Sequence, residues 1–178
     1  MHMVIRTIVY ARTKEDALQE AENDFNRLTG ENAPFDYYTM FNQDGMGMSG
    51  SDRWGKLSPA AKVGSKNGKI LVDEGLQFTK EGLLEDLKVV RETLNKATDE
   101  EILESKRWKE YGMVKYRFNC LGQYTGSSIY LYHEGEGVTC KDHLKDILSK
   151  WKCLYEDKGL DNPYKDLGVW VVPADVHF

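Results

Sequence analysis

The chain has 178 residues, of which 40% are hydrophobic, 30% charged and 11% aromatic, with a formal net charge of -5 at pH 7, proportions of a soluble globular protein rather than a disordered one. No apolar run approaches the roughly 18 to 20 residues that cross a bilayer, and the acidic balance argues against nucleic acid or anionic lipid as a partner, since both select dense Lys/Arg surfaces. Cys120, Cys140 and Cys153 stand far apart with no CxxC pair, which indicates neither a disulfide framework nor a thiolate zinc site, so a reducing cytoplasm is the expected compartment.

The amino terminus, MHMVIRTIVY, lacks the pattern of a secretory signal, and Met1-His2 reads as an addition ahead of a natural start at Met3. That expectation leaves His2 outside every candidate site. Val4 to Ala11 is β-rich and forms the first predicted strand. Thr13 stands as an N-cap with Glu15 and Asp16 behind it, and Ala17, Leu18, Ala21, Phe25 and Leu28 recur at helical spacing up to Gly30. The aromatic run Phe35 to Phe41 is a second strand, followed at once by a glycine-rich loop.

Lys69 to Val72 reads as a short strand, and Leu83, Leu84, Leu87, Val90 and Leu94 mark a helix from Lys80 to Asn95. Thr98 with Glu101 makes a capping box for a third helix that runs to about Tyr111, giving a helical hairpin. Val114, Tyr116, Phe118 and Cys120 then alternate with polar residues, the pattern of a half-buried strand, and Ser128 to His133 answers as its partner across LGQYTG. Thr139 caps a last helix whose stripe is Leu144, Ile147, Leu148, Trp151 and Tyr155. The strand Gly168 to Val172 precedes a tail, PADVHF, expected to fray.

Together these elements predict one domain over residues 1–178, an α+β fold with an antiparallel or mixed sheet and helices on one face, ferredoxin-like, with a loop and helical insertion at about 42–111.

The loop FNQDGMGMSGSDRWG satisfies GxGxxG at Gly45, Gly47 and Gly50. A dinucleotide site needs a helix directly behind those glycines, and Gly55 and Pro59 interrupt one here, so the Rossmann reading fails. A looser reading survives: from Arg53 to Val72 the chain carries Arg53, Lys56, Lys62, Lys66 and Lys69 without one Asp or Glu. Amides of Gly47, Gly50 and Ser51 together with Arg53, Lys69 and the flat wall of Trp54 would surround a phosphate or carboxylate.

Two weaker constellations carry chemistry. Cys140 and His143 share a face at the start of the last helix, with His133 ending the strand before it, an arrangement that suits an activated thiol. Asp175 and His177 project to one side of an extended tail, where they would join His133 or His143 in acid/base or metal work. No further ligand is spaced to complete a metal site, and no cofactor is specified. Tyr111, Tyr116, Tyr124, Tyr130 and Tyr132 beside Lys115 and Arg117 resemble a base-stacking platform but lack RNP-like motifs. The leading expectation is a protein that binds a small anionic ligand, a nucleotide or phosphorylated metabolite, through the basic loop. The alternatives are an interaction module or homodimer without chemistry, and a small enzyme using Cys140 or the Asp175/His177 pair.

Overall fold

The computed structural model describes residues 1–104, 113–123, 126–155 and 166–178. Strand β1 (His2–Ala11) and strand β6 (Gly168–His177) pair antiparallel along their whole length, with His2 opposite His177 and Ala11 opposite Gly168. The tail that was expected to fray is therefore an inner strand. On the far side of β6 lie β2 (Tyr37–Met40) and the two-residue β3 (Ala61–Lys62), both antiparallel to it. On the other side of β1, β4 (Leu131–His133) runs parallel and turns back into β5 (Glu136–Gly137).

The order is β2-β6-β1-β4-β5, a mixed sheet in an α+β fold. β2 lies outside β6, and β1 and β4 form the parallel pair.

Helices cover both faces of the sheet, which corrects the one-faced expectation. Strand alternation sends Met3, Ile5, Val9 and Ala11 to one side, where they meet Ala17, Ala21, Phe25 and Leu28 of α1 (Lys14–Leu28). Ile8 points to the other side, into a cluster with Leu71, Val72 and Leu76 of α3 (Lys66–Lys96) and Ile147 of α6 (Lys141–Tyr155). Thr13 caps α1 as expected: its hydroxyl accepts the Asp16 N–H at 3.1 Å while the Asp16 carboxylate accepts the Thr13 N–H at 3.2 Å.

Two predicted strands are helices. Lys69 to Val72 belongs to α3, which spans 31 residues and absorbs the helix predicted from Lys80. Ser65 starts it by accepting the Gly68 N–H on its hydroxyl at 3.1 Å, and Leu71, Val72, Gly75, Leu76 and Thr79 form the buried stripe. Val114 to Cys120 lies in α5 (Met113–Gln123). Its period-two pattern misleads because Tyr116 and Phe118 are exposed, whereas Val114, Arg117 and Cys120, three apart, face inward. The reason is tertiary: buried Asp86 on α3 holds Arg117 and also accepts from the Ser128 hydroxyl.

Among the described residues α3 packs against α5. The capping box of Thr98 with Glu101 does form, at 3.1 and 3.2 Å, and opens α4 (Asp99–Glu104); the rest of the helix predicted to Tyr111 lies outside the described residues. Among the described residues no helix is long and apolar enough to cross a membrane.

Candidate functional site

The amides of the glycine-rich loop are engaged by carboxylates of the chain itself. Gly47 N–H donates to Asp52 Oδ2 and Gly50 N–H to Asp175 Oδ2, each at 2.9 Å. Gly50 opens the short α2 (Gly50–Trp54), which Gly55 ends. Ser51 is half-buried, and the exposed Arg53 lies over the Trp54 ring at 5.8 Å. Lys69 is exposed in the first turn of α3, and Lys62 covers Trp170 at 5.5 Å. Positions 170 and 175 of β6 are about 17 Å apart along the strand, so the run that is continuous in sequence is spread along the sheet.

The histidines that sequence grouped do not come together. Asp175, with its side chain fully buried, lies 3.1 and 3.2 Å from His2 Nδ1 through its two oxygens. His2, set aside on sequence grounds, therefore belongs to this cluster. His177 Nδ1 lies 2.9 Å from Asp36 Oδ2, and its ring stacks on Tyr37 at 5.0 Å. His133 pairs with Ile8, six residues along β1 from His2, hence about 20 Å away.

Cys140 is the N-cap residue of α6, since its carbonyl accepts the Leu144 N–H at 3.1 Å. It is exposed and, among the described residues, has no hydrogen bond to His143 or His133. Among the described residues the tyrosines are spread over different environments: Tyr116 is on α5, Tyr132 is fully buried, and Tyr130 packs on Phe78 at 5.5 Å. Tyr111 and Tyr124 lie outside the described residues.

A cavity of about 360 Å³ opens where β1 and β4 end, the carboxyl end of a parallel pair, which is where ligands commonly sit in open α/β sheets. Its wall takes Ile8, Val9 and Tyr10 from β1, His133 and Glu134 from the β4 turn, and Glu20, Asn23, Asp24, Asn26 and Arg27 from α1. Glu134 and Gly135 both have positive φ, 53° and 82°, and make the two-residue turn into β5. A glutamate in that conformation is uncommon and costs about 1 kcal/mol or more.

The turn ends the ladder early. Arg6 N–H donates to the Tyr130 carbonyl at 2.9 Å, and continuing that parallel pattern would send the Glu134 N–H to the Ile8 carbonyl. Instead Glu134 N–H donates to Asp24 Oδ2 at 3.1 Å, and the Ile8 carbonyl receives His133 Nδ1 at 2.8 Å. A carbonyl only accepts, so Nδ1 carries a proton, and Nε2 is the ring nitrogen left over, an acceptor in the neutral imidazole. That nitrogen is buried and, among the described residues, has no hydrogen-bond partner, an omission that costs about 1–3 kcal/mol.

Asp24 is buried on the core-facing stripe of α1. Burial raises its carboxyl above the ordinary 3.8, against the Thr7 hydroxyl, His133, Arg27 and the Glu134 amide, all of which favour the carboxylate. Arg27 Nη1 lies 3.8 Å from Asp24 Oδ1. The Tyr10 phenol, pushed up to about 12 by burial and then by Glu134 and Tyr155, stays neutral and donates to the Ile147 carbonyl at 3.1 Å. Sequence reasoning found His133 here but missed Asp24, whose signal was an acid in the stripe Ala17, Ala21, Leu28. Among the described residues no three His, Cys, Asp or Glu side chains are placed to hold a metal ion.

No curated protein and no solved structure matches the chain. A family model covers it from residue 1 to residue 178, and the chain belongs to that family, described as Domain of unknown function (DUF7995).

Proposed function

We propose that the chain binds a small polar molecule in the cleft at the ends of β1 and β4, with Nε2 of His133 as the acceptor that the molecule fills. The observation that carries this reading is the buried Nε2 of His133, a residue of the cavity wall, which has no hydrogen-bond partner among the described residues. Buried polar atoms are satisfied almost everywhere in folded proteins, and an exception next to a strained residue is the usual mark of a site. Nε2 is closed to water, so occupancy requires the imidazole or a neighbour to turn toward the cavity, and binding is expected to be accompanied by a local rearrangement.

The test is a thermal-shift screen of amines, amino acids, sugars, nucleosides, nucleotides and phosphorylated metabolites, repeated on His133→Leu, Asp24→Asn and Arg53→Ala with circular dichroism as the folding control. The reading expects a compound whose stabilisation disappears in His133→Leu and persists in Arg53→Ala. The reverse pattern, with a phosphorylated compound, would return the site to the basic loop. A screen without any stabilising compound would overturn both.

A further inference from the structure

We infer that the molecule taken by this cleft is a cation, a primary or secondary amine in its ammonium form; the inference rests on the ligand-binding reading of the same cleft. It follows from which polar groups in the wall are already used. Three of the wall's donors are already engaged by the chain, while the Asn26 amide, whose oxygen accepts from Tyr38, and the other Arg27 N–H groups stand beside them. Tyr10 donates to the Ile147 carbonyl at 3.1 Å, and the Asn23 amide donates to Glu20 Oε2 at 3.4 Å. Arg27 Nη1 donates to the Glu134 carbonyl at 3.4 Å beside Asp24.

The acceptors are in excess. Among the described residues His133 Nε2 has no partner, and Asp24 Oδ1 meets the guanidinium alone, at 3.8 Å. Among the described residues the Glu134 carboxylate receives no hydrogen bond.

Charge points the same way, because three carboxylates, Glu20, Asp24 and Glu134, share the wall with one guanidinium and one imidazole. A phosphate or carboxylate ligand would be brought against those three acids, and a neutral polyol would leave them unpaired as water is displaced. An ammonium supplies several N–H donors on one centre, enough for the imidazole nitrogen and a carboxylate together, and brings the opposite charge. Glu20 and Glu134, both exposed, stand at the rim, where they would attract a cation from solution.

Protein carrying ¹³C-labelled histidine gives one ring signal for each of its four histidines, and His133→Gln identifies that of His133. Agmatine, putrescine and tyramine are titrated at neutral pH against 1,4-butanediol and succinate. The expected result is that at least one amine moves the His133 signal and binds about tenfold tighter than the diol, a difference of about 1.4 kcal/mol. Its affinity should fall several-fold in Glu134→Gln and on raising salt.

Equal or tighter binding of the diol or succinate at His133 overturns the cation inference and leaves the ligand-binding reading standing. An amine that binds without moving His133, or without sensitivity to Glu134→Gln, overturns it as well. Failure of all three amines to bind at millimolar concentration also overturns it, and the wider screen then decides the ligand-binding reading separately.

Discussion

The glycine-rich loop is fastened to the sheet by one carboxylate, and replacing Asp175 measures what that fastening is worth. Its Oδ2 accepts the Gly50 N–H at 2.9 Å, and the same group meets His2 Nδ1 at 3.1 Å. In Asp175→Ala the Gly50 amide, on a buried residue, loses its acceptor and His2 loses its partner. A hydrogen bond to a charged acceptor contributes about 1.5–3 kcal/mol, and Asp175→Ala removes two of them, about 3–6 kcal/mol in all. At about 2–4 °C per kcal/mol for a chain of this size, Tm should fall by roughly 6–24 °C. Asp175→Asn keeps the shape and an amide oxygen for Gly50, so about 1–2 kcal/mol is expected, lost mainly at His2.

Calorimetry gives the Tm, and amide hydrogen exchange at Gly50 locates the effect. In the alanine variant that amide should lose protection about tenfold or more beyond the global change, while the amides of Ile5 and Val9 in β1 follow global stability. A Tm loss below about 2 °C, or a Gly50 amide as protected as in the parent, would refute the fastening.

Burial holds the Asp24 carboxyl above 3.8, so the folded state binds that proton more tightly than the unfolded chain does, and the ionised form costs stability at neutral pH. Asp24→Asn keeps an oxygen for Thr7 and Glu134; it should raise Tm at pH 7, and the gain should vanish as pH falls through the raised pKa toward 3.8, whereas equal gains at both ends would exclude desolvation as the cause. A Cβ on Gly68 would lie 2.0 Å from the Lys62 carbonyl oxygen, while one on Gly64 meets nothing within 4 Å. Gly68→Ala should therefore cost about 3 kcal/mol or more and Gly64→Ala should be neutral or stabilise by up to about 1 kcal/mol, read by denaturant unfolding. Cys140 and Cys153 are exposed, whereas Cys120 is buried and its thiol is pushed up by burial; a chromogenic disulfide should titrate two thiols quickly and the third only on unfolding.

What the sequence showed clearly was whatever local pattern and tertiary environment agreed upon. β1 alternates and is paired on both sides, and α1 carries both its cap and its stripe. β6 was cut short at Pro173, which has no N–H for a ladder. That proline sits at the gap between β3, opposite Trp170 and Val171, and β2, opposite Ala174 to His177, a place where a strand tolerates it. α5 was misread because its inward face is set by the ion pair of Arg117 with a carboxylate 31 residues away, which no periodicity registers. The loop's glycines suggested an external anion, but the carboxylates that meet them include Asp175, 125 residues downstream of Gly50.

The cleft owes its chemistry to how short β4 is. Two more paired residues would have satisfied the Ile8 carbonyl and the Glu134 amide with backbone partners, releasing His133 and Asp24 from both tasks. Because the chain turns at Glu134 instead, Nδ1 of His133 is engaged by the Ile8 carbonyl and the remaining nitrogen is the atom left over. The same turn places the Glu134 carboxylate in the wall at the cost of a left-handed glutamate, φ 53°. Asparagine accepts that conformation more readily and pairs naturally with the following glycine. Glu134→Asn should therefore stabilise the chain by about 0.5–1 kcal/mol while weakening amine binding several-fold, read by calorimetry and by titration of the His133 signal. Gain of stability and loss of binding in one variant would mean that the glutamate is retained for the cleft. A variant that is less stable than the parent would show that the turn itself requires the glutamate.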